Sequence, residues 1–191
     1  MKPEKAYACY NVNTDVRLNS SSGAVFSSLA EYVFNKQGVA YGVVMSEDCY
    51  SAEFIAVTDI KMMARLRGSK YLQAKVGNTF NKVKEDLQSG KTVLFTGTGC
   101  QVNGLKTFLG KDYDNLIIVD FICRAIDSPK AWRKYLDTFD ERYESKVIYA
   151  KAKSKEYGWR NLTQKVILEN GKHLYETKDK QLAQIGSFIT C

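Results

Sequence analysis

Three consecutive serines and a glycine, Ser20, Ser21, Ser22 and Gly23, stand directly before an apolar, helix-like segment. The unpaired N–H groups and partial positive charge of a helix N-terminus favour bound anions. Serine hydroxyls can hydrogen-bond a phosphate group, and a glycine lets it approach the backbone closely. Arg17 is near enough in sequence to add a full positive charge. The pattern predicts either a binding site for a negatively charged ligand or a plain serine N-cap, and spacing alone does not decide between them.

A second candidate is the turn formed by Gly97, Thr98 and Gly99, which leads into Cys100 and Gln101. The glycines predict a tight, open turn between a strand and a helix, where α/β folds usually bind ligands. A cysteine at a helix N-terminus is a typical nucleophile, redox group or metal ligand. The glycine spacing is neither the dinucleotide fingerprint nor a Walker loop. A purely structural turn is the alternative.

The third candidate follows a buried segment and begins at Asp120, with Cys123 close behind. If strands at 91–97 and 115–121 are neighbours, Cys100 and Cys123 lie at the same edge of the sheet. Two thiols can pair or contribute to a cluster, but two ligands alone do not hold an iron–sulfur centre. A buried structural cysteine is the alternative.

A shorter basic segment combines Arg67, Ser69, Lys70 and Tyr71. It offers cations and a hydroxyl for an anion, and an aromatic ring that could stack on a flat cofactor. The single histidine, His173, lies in a polar, turn-rich segment without an evident partner. We expect it at the surface, so catalysis of the Cys–His or Ser–His type is not favoured.

The elements that must position these residues alternate between strands and helices. The pattern predicts a single α/β (or α+β) domain over 1–191: a mixed sheet with parallel strand–helix–strand units flanked by helices, and a smaller antiparallel part. Its halves divide near 7–90 and 91–191. We expect Gly38 to end the first helix as its C′ residue, and Ser128 and Pro129 to begin the last one. Periodicity predicts strands at 5–12, 39–45, 51–59, 91–99 and 115–123, helical segments at 25–36, 60–68, 79–90, 100–110 and 128–143, and a late hairpin turning at 170–171.

The chain has 191 residues and a net charge of +7, from 28 basic and 21 acidic side chains. The charge is densest at 151–160, which we interpret as a mildly basic surface rather than a nucleic-acid site. No apolar run is long enough to predict a membrane span, and the N-terminus has no apolar signal core. Five scattered cysteines without a CxxC pair favour reduced thiols and a cytoplasmic protein.

Four ordered segments, 17–34, 66–74, 82–110 and 115–132, resemble the coenzyme F420 hydrogenase/dehydrogenase beta-subunit family. A fifth, "KEYGWRN" at 155–161, is similar to a later family segment. The resemblance implies a flavin-dependent oxidoreductase module that binds FAD. It would exchange electrons or hydride with a deazaflavin-like or other reducible substrate, and with an electron-transfer protein. Many relatives are associated with bacterial polysaccharide synthesis.

The same resemblance assigns roles to the candidate residues. It implies that Cys100 and Cys123 are catalytic. It implies that one FAD cavity is lined by Arg17, Ser20, Ser21, Ser22, Gly23, Arg67, Ser69, Lys70, Tyr71, Thr98, Gly99 and Gln101.

Several positions depart from the family pattern. Gly99 replaces a proline of the usual Gly-Thr-Pro-Cys-Gln turn, Arg124 and Ala125 replace the His-Gly that usually follows Cys123, and Ala24 replaces a second glycine. The family's cysteine-rich segments are absent, so no iron–sulfur cluster is expected in this chain alone. A second hypothesis is therefore an inactive, truncated member that binds an anionic ligand or a protein.

Overall fold

The computed structural model of the protein describes residues 5–123, 125–161 and 163–177. Its first sheet has five strands in the spatial order β3-β2-β1-β4-β5, and its second has three in the order β6-β7-β8. The strands of the first sheet are β1 Val39–Met45, β2 Ala52–Val57, β3 Ala74–Lys75, β4 Val93–Thr98 and β5 Leu116–Phe121. Those of the second are β6 Val147–Ser154, β7 Thr163–Leu168 and β8 His173–Thr177.

The helices lie between these strands and before them. They are α1 Thr14–Leu18, α2 Val25–Phe34, α3 Ile60–Met63, α4 Thr79–Gln88, α5 Gly99–Leu109 and α6 Pro129–Tyr143, with a 3₁₀ turn over Ala64–Leu66 directly after α3. As predicted, Ser128 caps α6: its hydroxyl accepts a hydrogen bond from the backbone N–H of Ala131 at 3.1 Å, and Pro129 opens the helix.

The strand pairing confirms the predicted fold class. β1 pairs antiparallel with β2 and parallel with β4, and β4 pairs parallel with β5. The short β3 pairs parallel with β2. The second sheet is antiparallel throughout, and β7 and β8 turn at Asn170 and Gly171. The first sheet is therefore mixed and mostly parallel, and the second is the smaller antiparallel part.

Apolar side chains cover both faces of the first sheet. One face packs against α2 and α3, through Ala30, Val33 and Met63. The other face packs against α4, α5 and α6, and the same core continues into the second sheet. Trp132 of α6 is 1% exposed, and its indole N–H donates to the Cys49 carbonyl at 2.7 Å. Helix α6 thus packs against both sheets and holds the loop between β1 and β2.

Two local predictions are wrong. Residues 5–12 form no strand; within the described part of the chain they run as irregular backbone next to the serine segment. Gly38 is not the C′ residue of α2, because the helix ends at Phe34 and Gln37 takes the left-handed conformation, with φ 56°. Gly38 is needed for a different reason: a Cβ there would lie 2.3 Å from the Thr92 carbonyl oxygen.

Candidate functional site

The carboxyl ends of β4 and β5 lie side by side. The register pairs Thr98 with Phe121, so Cys100 and Cys123 both follow the ends of neighbouring parallel strands. The sequence predicted a shared edge for the two thiols if these strands were neighbours, and the pairing shows that they are. Cys100 is exposed and Cys123 is half-buried. Both thiols therefore lie at the edge where parallel sheets bind ligands.

The serine segment meets the basic segment directly. The hydroxyl of Ser21 accepts a hydrogen bond from the backbone N–H of Ser69 at 2.7 Å and lies 2.9 Å from the Ser69 hydroxyl. Arg67 donates from Nε to the buried Ser27 hydroxyl at 3.2 Å. Two segments about 48 residues apart in sequence thus form one continuous polar wall.

The remaining serine-segment residues have separate structural contacts. Ser20 is buried and donates its hydroxyl hydrogen to the Val16 carbonyl at 2.8 Å, which closes α1. The Gly23 carbonyl accepts from the backbone N–H of Asn11 at 2.7 Å. A Cβ on Gly23 would lie 3.0 Å from the Cys9 carbonyl oxygen, so the glycine permits residues 9–11 to cross this turn closely.

The N-terminus of α2 has no side-chain cap within the described residues. Its N-cap residue is Ala24, which is buried and left-handed with φ 63°, so the interpretation of the serines as a plain N-cap is wrong. A left-handed alanine is uncommon because its Cβ crowds the backbone. The backbone N–H groups of the first turn are left without a capping side chain, beside the wall formed by Ser21 and Ser69.

Two cations border this wall. Arg17 donates from Nη1 to the Asn11 carbonyl at 2.9 Å and stacks 5.0 Å from the centre of the Tyr10 ring. Lys155 donates from Nζ to the carbonyls of Arg17 at 3.0 Å and Ser22 at 3.3 Å. Burial, then the charges of Lys151 and Arg17, lower the pKa of Lys155. The backbone of Ser22 is therefore held by a cation that lies far along the sequence.

Lys70 has a structural role that its sequence position did not reveal. Its ammonium donates to the carbonyls of Arg65, Leu66 and Arg67 at 3.2, 2.9 and 3.1 Å, which caps the end of the 3₁₀ turn. Burial, with a smaller contribution from Lys151, lowers the pKa of Lys70 to about 8. With three N–H donors directed at carbonyls, Lys70 can act on a ligand through its charge rather than through a hydrogen bond.

The glycine turn before α5 closes on itself. The side-chain oxygen of Gln101 accepts from the backbone N–H of Thr98 at 2.9 Å, and the Thr98 hydroxyl lies 3.0 Å from the Cys100 sulfur. A Cβ on Gly97 would lie 3.0 Å from that same Gln101 oxygen, whereas one on Gly99 would meet nothing within 4 Å. The side chains of Thr98 and Gln101 hold the turn together, and the space next to Gly99 is open.

Sequence reasoning gave Asp127 no role. Its backbone pairs with the basic segment: its N–H donates to the Tyr71 carbonyl at 2.8 Å, and its carbonyl accepts from Gln73 at 3.1 Å. The residue is 1% exposed, and among the described residues its Oδ1 has no hydrogen-bond partner. Burial raises the pKa of this carboxyl to about 6. The sequence places it only directly before the N-cap Ser128 and gives no sign of its burial.

The lysines on β6 were also assigned only to a general basic surface. Lys153 lies 5.1 Å from the centre of the Tyr71 ring, so one face of that predicted stacking ring is taken by a cation. His173 begins β8 and is exposed, as expected. A cavity of about 500 Å³ lies at the far end of α5, between Lys106, Gly110 and Leu116, and none of the predicted site residues lines it.

Among 5–123, 125–161 and 163–177, no three histidine, cysteine or acidic side chains lie close enough to hold a metal ion. No helix in these ranges is long and apolar enough to cross a membrane.

The chain is similar to known proteins in its fold and, over part of its length, in its sequence. No curated protein sequence matches the chain. A solved structure that does match is a chain of the F420-reducing [NiFe] hydrogenase complex from Methanosarcina barkeri, with a TM-score of 0.62 and 11% identity. The match covers 92% of this chain and 60% of the hydrogenase chain; at this identity it shows the fold alone.

The N-terminal part carries the sequence signal. Residues 6–80, which hold the serine segment, α2 and the basic segment, match the family model described as "Coenzyme F420 hydrogenase/dehydrogenase, beta subunit N-term". Residues 6–80 thus match the N-terminal segment of the coenzyme F420 hydrogenase/dehydrogenase beta-subunit family, the family that the ordered motifs resemble.

Proposed function

We propose that this chain is a flavin-dependent redox module that binds FAD at the wall formed by Ser21, Ser69 and Arg67. The observation that carries the proposal is the uncapped N-terminus of α2 beside that wall. Backbone N–H groups, hydroxyls and a guanidinium together match the oxygens of a pyrophosphate. The arrangement therefore has the donor set that a dinucleotide phosphate requires.

The remaining parts of the wall would orient the cofactor. Arg67 is held in place by Ser27, and Ser69 is held by Ser21, so both donors are positioned before a ligand arrives. The open side of Gly99 leaves room for a flat ring at the carboxyl end of β4. When bound, the flavin would supply hydride and electron exchange, while the protein positions it and tunes its environment.

The family match supports a redox role and suggests the reaction partners. The hydrogenase complex that contains the structural relative reduces F420. By analogy, this chain would exchange hydride with a deazaflavin-like or other small reducible substrate and pass electrons to a protein partner. The chain spans 60% of the relative's length.

The test is a titration of the purified chain with FAD, followed by absorbance and quenching of flavin fluorescence. We expect saturable binding, and about tenfold weaker binding after Ser21→Ala or Arg67→Gln, since each removes a donor or its support. Lys134→Gln is the matched control, because Lys134 is exposed on α6 and its Glu141 contact is 4.0 Å long. Absence of saturable binding by the wild-type chain would contradict the proposal.

A second candidate is a non-catalytic module that binds an anion or a protein. The closed glycine turn favours it, because Thr98 contacts both Gln101 and Cys100 and so occupies the polar groups of that turn. Cys100→Ser separates the two functions. In a redox module the substitution shifts the midpoint potential of bound FAD or slows its reduction; in a non-catalytic module ligand affinity and potential stay the same.

A further inference from the structure

The densest basic stretch of the chain packs against the loops of the first sheet. Three lysines, Lys151, Lys153 and Lys155, alternate along the end of β6 and the residue that follows it. All three are half-buried rather than fully exposed. We call them the lysine seam, because they lie where the second sheet meets the serine and basic segments.

Each lysine of the seam acts on a different part of those segments. Lys155 donates to the Ser22 carbonyl, and its ammonium lies 3.5 Å from the centre of the Trp159 ring. Lys153 lies over the Tyr71 ring. Lys151 is close enough to Lys70 for its charge to lower the Lys70 pKa. The seam is thus a cationic strip with an aromatic ring at two of its three positions.

Negative charge does not balance this strip. In the part of the chain that the structure describes, no lysine of the seam forms a salt bridge. Glu156 is the carboxylate whose charge reaches Lys151, but it is already bound by Lys165 and Tyr175.

Like charges crowd one another instead. Burial lowers the pKa of both Lys151 and Lys155. At Lys151 the attraction of Glu156 opposes this and outweighs the smaller repulsion from Lys165, whereas at Lys155 repulsion from Lys151 and Arg17 adds to the effect of burial. On the neighbouring strand β7 the reverse holds, since Glu156 raises the pKa of Lys165. Half-buried cations are unfavourable where their counter-charge is lacking, as at Lys155, or shared, as at Lys151, and a bound anion would relieve the repulsion.

We propose that the lysine seam binds a phosphate-class oxyanion carried by the small substrate of this module, at a site separate from the FAD wall. The inference rests on the proposed function and extends it to the class of substrate. Lys151 and Lys153 supply the charge, and Tyr71 lines the same site. Lys155 is fastened to two backbone carbonyls and borders it.

The burial of the seam favours a compact group over a nucleic acid. A nucleic-acid backbone needs an exposed row of cations that can follow successive phosphates. Here the row is half-buried against the serine and basic segments, and its last member donates to the carbonyls of Arg17 and Ser22. A single phosphoryl or pyrophosphoryl group can reach such a site, and a polymer cannot follow it.

The experiment is calorimetric titration of the full chain with inorganic pyrophosphate, with and without saturating FAD. We expect saturable binding that persists in the presence of FAD. Lys151→Gln and Lys153→Gln should each weaken it about tenfold, because each removes a charged donor. Lys134→Gln, on the outer face of α6, should leave it unchanged, and thermal melting should show that all three variants fold.

The outcomes separate this inference from the proposed function. Equal pyrophosphate affinity in wild type and both seam variants overturns the inference. It is also overturned if FAD displaces pyrophosphate while both variants weaken FAD binding, since the seam is then part of the cofactor site. Lysine-dependent pyrophosphate binding without any FAD binding upholds the seam and refutes the flavin proposal. Tight binding of a 20-nucleotide DNA that pyrophosphate fails to displace overturns it in favour of a nucleic-acid surface.

Discussion

Two glycine-containing turns lead into helices α2 and α5, and the structure satisfies their polar groups in opposite ways. Before α5, Gln101 binds the backbone of Thr98, so the turn is capped from within. Before α2, the N-cap position is the left-handed Ala24, and Ser21 turns away from the helix to bind Ser69. The N-terminus of α5 is therefore capped by its own side chains, whereas the N-terminus of α2 has no side-chain cap and lies beside the wall of Ser21 and Ser69.

The difference shows that the same residue types serve different ends according to where their partners lie. A capping pair three residues apart is a local device that stabilises a helix whatever else the protein does. A serine that bonds to a loop 48 positions away ties two segments together and leaves helix N–H groups uncapped. Only the second arrangement leaves donors for a ligand, which is why the FAD proposal is built on α2.

The largest expected effect concerns Asp127, the buried carboxyl whose backbone pairs with Tyr71 of the basic segment. In the unfolded chain the carboxyl has its ordinary pKa of 3.8, whereas burial raises the pKa to about 6 in the folded protein. Between these values the folded state binds more protons, so its stability falls as pH rises. Two pKa units correspond to about 3 kcal/mol. We expect Asp127→Asn to raise the free energy of unfolding at pH 8 by up to that amount and to change it little at pH 4.

Urea unfolding of both proteins at pH 4, 6 and 8 measures this effect. Asp112→Asn is the matched control, because Asp112 is exposed and should give parallel pH curves. If Asp127→Asn destabilises the protein equally at all three pH values, the carboxyl is satisfied by a partner at neutral pH. The basic segment would then adjoin no unpartnered buried carboxylate, and in this respect it would resemble the turn before α5, whose Thr98 and Gln101 side chains are hydrogen-bonded.

The second prediction tests the closed turn through its two glycines. An alanine at Gly97 places a methyl group 3.0 Å from the Gln101 oxygen and 3.3 Å from the Phe95 ring, and so disturbs the cap. We expect Gly97→Ala to lower the free energy of unfolding by about 2 kcal/mol, as overpacking of a core usually does. Gly99→Ala, in the same turn but with open space around it, is the control and should leave stability within about 0.5 kcal/mol.

Thermal melting and urea unfolding of both variants measure these two losses of stability. Equal losses at the two positions would mean that the turn is not held by the Gln101 contact. A normal melting temperature for Gly99→Ala together with weaker FAD binding would place the ligand against Gly99, as proposed.

The sequence predicted those parts of the molecule that depend on neighbours in the chain. Alternation and glycine stops located β4, α5 and β5, and the Ser128–Pro129 pair located the start of α6 within a residue. These features have local signatures, because a helix cap or a strand period is written in a few adjacent residues.

Contacts across the fold were not predictable in this way. Residues 5–12 have the composition of a strand, yet they lie along the serine segment because Asn11 binds Gly23 and no strand pairs with them. Lys70 looked like a ligand donor, and three nearby carbonyls take its hydrogen bonds instead. Lys155 meets Arg17 from 138 positions away. Such partners are set by the packing of the two sheets, which no single segment encodes.

The smallest expected effect separates the two turns most directly, by comparing Gln101→Ala with Ser21→Ala. Loss of the Gln101 cap should cost about 1 kcal/mol of stability, because it frees the Thr98 N–H. FAD affinity should change less than twofold, since that side-chain oxygen is directed into its own turn. Ser21→Ala should show the opposite balance, with a smaller loss of stability and about tenfold weaker FAD binding. Urea unfolding and FAD titration of the two variants give both quantities. A tenfold loss of FAD affinity in Gln101→Ala at nearly unchanged stability would mean that the Gln101 side chain binds the ligand rather than its own turn, and the distinction between a closed and an open helix entry would fail.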